Sequence, residues 1–197
     1  MGTNGQLRLQ GEVIRTELEK AEQSQIYHLK LRLRFENTGE KPLILVLGTY
    51  GEKRDWWVLD VFLSRSLQDA LNGKPFSGRP AGPANSQSSP MWVEMRKQLN
   101  IVSPPPALSH IIQPHELFLK EIETFVIIRD GDNLAPGSKI WLQIVLEMWP
   151  SSIDPAQLGH GGKSFGDGLR RKWQSFGDLW LQPVLSSPIP FDLPVAP

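Results

Sequence analysis

The amino-acid sequence predicts a mainly β protein, an antiparallel β-sandwich that forms one domain over residues 1–197. Roughly seven segments have the alternating pattern, or the β-branched and aromatic content, that is typical of strands. Loops rather than regularly spaced helices separate these segments, which favours a sandwich over a parallel α/β sheet. Two long insertions, at residues 64–112 and 150–176, interrupt the strands, and we expect each to carry a short helix.

The clearest strand is predicted at residues 27–36, where apolar side chains alternate with charged or polar ones. This period of two places one face of the strand in a core and the other in water. The turn-forming residues 37–41 follow, and the apolar run 43–47 predicts a strand that is buried on both faces. We therefore expect these two strands to form a hairpin.

Four more segments have the composition of strands. They are residues 7–13, 56–63, 116–129 and 139–149. The charged stretch 15–22 separates the first of them from strand 27–36. The last two are joined by residues 130–137, which are rich in turn-forming residues, so we expect these two strands to be antiparallel neighbours.

The first insertion contains a segment, residues 73–90, that is rich in glycine, proline and small polar residues. Such a segment buries too little apolar surface to offset its ordering entropy, so we interpret it as an exposed loop. Ser89 and Pro90 then provide an N-cap and a first-turn proline, which predict a short helix over residues 90–99.

The second insertion is predicted to contain a short amphipathic helix, because Leu169, Trp173 and Phe176 recur at helical spacing. Asp167 is the expected N-cap of this helix. A last strand is predicted at residues 179–185. The proline-rich tail that follows is expected to lie extended along a sheet edge, since proline within a strand is confined to edges.

Two short segments carry a resemblance to known domains. They are Phe-Glu-Asn-Thr-Gly at residues 35–39, followed by Pro42, and the Leu-Ala-Pro-Gly turn at residues 134–137. In these segments the chain resembles bacterial immunoglobulin-like domains, which implies an immunoglobulin-like sandwich. It is also similar to intracellular proteinase inhibitor domains of the bacterial BsuPI type, which pair a strand ending in Asn-x-Gly with a later Pro-Gly turn. The insertion 64–112 departs from the compact pattern of those inhibitors.

Composition excludes several classes of function. The 21 basic and 21 acidic residues cancel, so no overall field attracts nucleic acid, and we expect no nucleic-acid partner. The absence of cysteine removes disulfides, thiolate metal sites and cysteine nucleophiles.

The apolar runs are too short to span a bilayer, and the N-terminus is not a signal peptide. We expect a soluble protein, cytoplasmic if Met1 is the native start and extracytoplasmic if a leader was removed.

The familiar catalytic motifs are missing: a G-x-S-x-G elbow, H-E-x-x-H, a phosphate-binding loop and a dinucleotide fingerprint. We therefore expect neither an enzyme nor a bound cofactor. His110, His115 and Glu116 offer zinc-binding groups but match no known ligand spacing, so solvated loop histidines are the simpler interpretation. Residues 130–133 resemble the start of a calcium loop but lack its later glutamate, and a turn is the better interpretation.

Seven tryptophans are many for this length, and exposed indoles stack on sugar rings or anchor a protein partner. We expect most of them to be buried. Trp92 and Trp173, on the two insertion helices, are candidate binding residues, although covering the ends or faces of the sandwich is their simpler role. Arg170 and Arg171 are candidates for contact with phosphate or an acidic partner, with a solvated helix face as the alternative.

These observations favour a non-catalytic binding or structural module whose partner is a protein, since loops on a rigid scaffold commonly carry binding sites. One alternative is a glycan-binding domain that uses exposed tryptophans. Another is a proteinase inhibitor that presents its proline-rich loop to an active site. A metal enzyme built around His110, His115 and Glu116 is the remaining hypothesis.

Overall fold

The computed structural model describes residues 6–46, 58–80, 97, 99–106, 108–135, 137–147 and 162–194, and these form a mainly β, sandwich-like fold. The strands are β1 (Leu7–Ala21), β2 (Ser24–Asn37), β3 (Leu43–Val46), β4 (Val58–Ser64), β5 (Ser77–Pro80), β6 (Ser109–Ile112), β7 (Leu117–Arg129), β8 (Lys139–Glu147), β9 (Asp178–Leu179), β10 (Val184–Leu185) and β11 (Ile189–Asp192). The helices are α1 (Leu67–Leu71) and α2 (Gly162–Trp173), with a 3-10 turn at Asp130–Asp132.

Three sheets make up the part of the fold that the structure describes. A long sheet has the strand order β1-β2-β7, and a five-stranded sheet has the order β10-β8-β4-β5, with β11 also paired to β8. A small third sheet has the order β6-β3-β9, in which β9 runs parallel to β3. None of the helices in the described part of the chain has the length and apolar character needed to cross a membrane.

The inner faces of the sheets share one hydrophobic cluster. Alternate residues of β2 supply its centre from the long sheet, as the period of two predicts, and alternate residues of β8 face them from the five-stranded sheet. These residues are Tyr27, Leu29, Leu31, Leu33 and Phe35 on β2, and Ile140, Leu142, Ile144 and Leu146 on β8. The rings of Tyr27 and Phe191 meet edge to face across the core, with centroids 5.8 Å apart. Burial of each such side chain contributes about 1.5–3 kcal/mol.

The first strand, β1, is longer than predicted, and the expected break at residues 15–22 is wrong. β1 continues through this charged stretch and pairs with β2 up to the contact between Ala21 and Ser24, with a bulge between Val13 and Arg15. The charges do not interrupt the strand because they are exposed: Arg15, Glu17 and Glu19 lie on its outer face, and Lys20 is exposed near its end. Thr16 and Leu18 are half-buried on the inner face.

The predicted hairpin of strands 27–36 and 43–47 is also wrong. β2 pairs with β1 and β7, whereas β3 pairs with β6 and β9. The buried side chain of Asn37 ends β2: its amide group donates to the carbonyls of Lys41 and Ile112, and its oxygen accepts from the Gly39 amide. This turn directs the chain out of the long sheet and into the small one.

Strands 116–129 and 139–149 are confirmed as β7 and β8, but they are not neighbours. β7 pairs with β2 and β8 with β4, β10 and β11. The 3-10 turn closes when the Arg129 amide donates to the Asp132 carboxylate, and Asn133 and Gly137 then adopt positive φ. The predicted turn is confirmed, but the connection crosses between sheets instead of closing a hairpin.

The described parts of the insertions differ in detail from the predictions. β5 lies inside residues 73–90, predicted as a loop, and pairs with β4. Most of predicted helix 90–99 lies outside the described residues. Lys97 and Leu99, which are described, are helical. Asp167 lies within α2 and pairs with Arg170, so it is not the N-cap.

The C-terminal segment forms three short strands where one strand and an extended tail were predicted. β9 and β10 replace the single strand 179–185, and they lie in different sheets. β11 includes Pro190 and pairs with β8 at the edge of the five-stranded sheet, which confirms the expected position of the tail. Between β10 and β11, the Ser187 amide donates to the Leu9 carbonyl at 3.0 Å and links the tail to β1.

Candidate functional site

The outer face of the long sheet carries a ladder of opposite charges across its three strands. Arg32, at the centre of β2, donates to Glu12 on β1 at 2.8 Å and to Glu121 on β7 at 3.0 Å. Lys30 contacts the other oxygen of Glu121 at 2.8 Å. Because all four side chains reach solvent, each pair contributes little alone, but together they hold neighbouring strands and side chains in register.

The ion pairs of this ladder change the acidity of two groups. Hydrogen bonds from Lys30 and Arg32 lower the pKa of Glu121 below its ordinary value. The hydrogen bonds that Arg32 donates to Glu121 and then to Glu12 raise the pKa of Arg32. Arg32 therefore remains charged and is compensated by carboxylates on both sides.

Arg34, the next outward residue along β2, differs from Arg32. It is exposed and makes no ion pair within the part of the chain that the structure describes. Its cross-strand neighbours are Gln10 on β1 and Leu119 on β7, neither of which is charged. Among the described residues, Arg34 therefore has no counterion, although its neighbour Arg32 on the same face is paired on both sides.

Two exposed leucines lie beside Arg34. Leu117 is 42% exposed and Leu119 is 58% exposed, both on the outer face of β7. They face outward because side chains alternate along a strand, and the residue between them, Phe118, points toward His110 and Phe35. Apolar residues thus occupy both faces at this end of β7, so the outer face is apolar where it would ordinarily be polar.

These residues line an open depression of about 510 Å³, which we call the outer-face depression. Its lining residues are Gln10, Gly11, Glu12, Arg32, Arg34, Leu117 and Leu119. Gly11 allows β1 to lie close to the Ile189 side chain on the inner side of the sheet, since an added Cβ would lie 2.6 Å from that side chain. The arrangement joins a cation to an apolar surface, which suits a ligand that carries a negative charge beside an apolar group.

The residues predicted from the sequence as binding residues lie elsewhere. Trp173 is fully buried at 0% exposure, and its indole donates to the Ile101 carbonyl at 3.2 Å. It therefore has no surface to offer a ligand, and it fills the simpler role, covering the core from α2. Trp92 lies outside the described residues.

Arg170 and Arg171 are exposed on α2, as predicted for a helix face. Arg170 pairs with Asp167 at 3.2 Å and lines a second depression of about 460 Å³. The other lining residues are Gln6, Leu43, Asp178, Leu179, Trp180, Leu181 and Gln182. Whether either arginine contacts a partner stays a prediction.

The metal-enzyme hypothesis gains no support from the positions of its residues. His110 stacks on the Phe118 ring with centroids 4.0 Å apart, and His115 lies 3.9 Å from Glu40. Glu116 accepts a hydrogen bond from the Gln113 amide. Among the residues that the structure describes, no three His, Cys, Asp or Glu side chains form a group that could hold a metal ion.

Sequence reasoning missed the outer-face depression, although one signal was present. Arg34 belongs to an alternating charged stripe in which nothing distinguishes it from Arg32 until the cross-strand partners are known. Leu117 and Leu119 were detectable, since three apolar residues in succession, Leu-Phe-Leu at residues 117–119, break the alternation of apolar and polar side chains. A break of this kind places an apolar residue on the solvent face.

No protein-family model, no curated protein and no solved structure matches this chain. The resemblances to immunoglobulin-like domains and to BsuPI-type inhibitors stay predictions.

Proposed function

We propose that this protein is a non-catalytic binding module whose partner is another protein, and that the partner contacts the outer-face depression. The observation that carries the proposal is the exposure of Leu117 and Leu119 beside the uncompensated charge of Arg34. Exposed apolar groups next to an arginine are typical of protein-binding surfaces, where arginine is enriched and apolar side chains are buried on contact.

The position of the depression supports this function. It lies on three paired strands, of which β2 is hydrogen-bonded along both edges. The ion pairs of Arg32 with Glu12 and Glu121 border it and restrain the neighbouring side chains. A surface built on paired strands is ordered before the partner arrives, so binding loses less conformational entropy than it would on a flexible loop.

The glycan-binding alternative is less well supported. Stacking on sugars needs an exposed indole. Among the tryptophans that the structure describes, Trp141 is half-buried, and Trp173 and Trp180 are buried. The inhibitor alternative depends on the proline-rich loop, most of which is outside the described residues.

The test is affinity capture from a native extract with three immobilised proteins, followed by quantitative mass spectrometry. They are the wild type, the double variant Leu117→Ser/Leu119→Ser, and the control Leu71→Ser, which alters an exposed leucine on α1. We expect a partner that the wild type and the control retain and the double variant loses. If all three retain the same proteins in the same amounts, the outer-face depression is not the binding surface.

A further inference from the structure

We infer that the segment which binds the outer-face depression is an extended peptide that carries a carboxylate side chain next to an apolar one. The carboxylate pairs with Arg34, and the apolar side chain packs on Leu117 and Leu119. This inference rests on the proposed function and adds the chemistry of the partner.

The charge balance of the depression favours a single negative charge. Its charged lining residues are Glu12, Arg32 and Arg34. Arg32 is already compensated by Glu12 and by Glu121, so only Arg34 has no counterion within the described residues. A carboxylate supplies one charge and matches the guanidinium with two parallel hydrogen bonds. A doubly charged phosphate would exceed that need and would be repelled by Glu12.

The apolar part of the ligand follows from the positions of the leucines. Leu119 is directly opposite Arg34 on the neighbouring strand, and Leu117 is opposite Glu36, one step along the same face. Neighbouring strands are about 5 Å apart, and side chains on one face of a strand repeat at about 7 Å. A carboxylate bound to Arg34 therefore lies within about one such spacing of both leucines.

This spacing indicates how the partner's side chains are arranged. In an extended peptide, residues two apart point to the same side and are separated by about 7 Å. An acidic residue and an apolar residue two positions apart thus reach Arg34 and the leucine pair together. Removal of Leu117 and Leu119 from water on binding supplies affinity through the hydrophobic effect. The charge pair supplies selectivity more than affinity.

The experiment uses a random-peptide display library selected on the folded, full-length protein. Selected peptides are then tested for binding to four variants: Leu117→Ser/Leu119→Ser, Arg34→Gln, Arg34→Glu and the control Arg15→Gln. Arg15 is an exposed arginine on the outer face of the same sheet, and it is not among the residues that line the depression. Thermal unfolding of each variant verifies that it is folded.

We expect peptides enriched in Asp or Glu two positions from Leu, Ile or Phe. Their affinity should fall about tenfold in Arg34→Gln, as loss of one charge-assisted hydrogen-bonded pair predicts, and should not change in Arg15→Gln. Arg34→Glu should reject these peptides and select basic ones instead. Affinity should also decrease as the salt concentration rises.

Two other outcomes can be distinguished from the expected result and from each other. If peptides bind, need Leu117 and Leu119, but lack acidic enrichment or bind Arg34→Glu equally well, the inference is wrong and the proposed function stands. If no selected peptide depends on Leu117 and Leu119, the proposed binding surface itself is wrong.

Discussion

The side-chain amide of Asn37 donates a 3.0 Å hydrogen bond to the carbonyl of Ile112, which lies 75 residues further along the chain. The same amide donates to the Lys41 carbonyl at 2.8 Å, and the Asn37 oxygen accepts from the Gly39 amide at 3.0 Å. Asn37 is fully buried. One side chain therefore both forms the turn after β2 and attaches β6 to the end of the long sheet.

Replacement of Asn37 should destabilise the fold strongly. Asn37→Ala leaves the buried carbonyl of Ile112, and the partly buried Lys41 carbonyl and Gly39 amide, without this partner, and we expect the free energy of unfolding to fall by about 2–4 kcal/mol. Asn37→Asp should be at least as destabilising near neutral pH, because a carboxylate cannot donate to two carbonyls. Urea unfolding measures both changes. Lys41→Ala, which keeps the main-chain carbonyl, is the control, and a loss below about 1 kcal/mol for Asn37→Ala would contradict this role.

Asn37 also explains why the strands could be predicted from the sequence while their pairing could not. The buried run Leu43–Val46 is visible in the sequence because four apolar residues in succession are a local signal. The direction of the turn before it depends on Ile112, which no local pattern connects to Asn37. The turn at Asp130–Asp132 shows the same limit: its residues predict a turn, but not the sheet to which the chain returns.

Gly177 is required where the chain passes Pro42. Its φ is +149°, and an added Cβ would lie 2.6 Å from the Pro42 carbonyl oxygen. Because the obstacle is main chain, we expect Gly177→Ala to lower the free energy of unfolding by about 2 kcal/mol or more. Gly168 provides the matched control, since it lies in α2 and a methyl group added there would meet no neighbouring side chain within 4 Å. Gly168→Ala should instead stabilise the protein by about 0.5–1 kcal/mol, because alanine favours helix.

Thermal or urea unfolding of the two glycine variants should therefore give changes of opposite sign. Equal changes in the free energy of unfolding would show that the short distance between Gly177 and the Pro42 carbonyl does not exclude a side chain at position 177.

Trp173 and Trp180 differ in the pairing of their indole N–H groups. Trp173 donates to the Ile101 carbonyl, whereas the buried Nε1 of Trp180 has no hydrogen-bond partner among the described residues. A change to phenylalanine removes the same atoms at both positions. We expect Trp173→Phe to lower the free energy of unfolding by about 1 kcal/mol more than Trp180→Phe does, because only Trp173 loses a hydrogen bond. Chemical denaturation of both variants tests this, and a larger loss in Trp180→Phe would contradict it.

The candidate site was less predictable than the core because it depends on which neighbours are absent as much as on which residues are present. The period of two places Arg32 and Arg34 on the same solvent face, and this is confirmed. Only the register with β1 and β7 shows that Arg32 faces Glu12 and Glu121 while Arg34 faces Gln10 and Leu119. Charge compensation is a property of paired strands, and a single strand does not reveal it.

The ladder across the long sheet should make stability depend on pH through Glu121. Its pKa is lower in the folded protein than in the unfolded chain because Lys30 and Arg32 donate hydrogen bonds to its carboxylate. The folded state therefore binds the Glu121 proton more weakly, so this carboxylate stabilises the fold at pH values above its unfolded pKa of about 4.3. That stabilisation is lost as the pH falls through the lowered folded-state pKa.

We therefore expect Glu121→Gln to be less stable than the wild type at neutral pH, with the difference disappearing in acid. Added salt at neutral pH should also reduce the difference, since these groups are exposed and screened. Thermal unfolding of both proteins across the acidic range measures it. Glu123→Gln is the control, because Glu123 lies on the same face of β7 but makes no ion pair with any described residue. A difference for Glu121→Gln that persists unchanged at low pH would mean that the ion pairs with Lys30 and Arg32 do not stabilise the sheet.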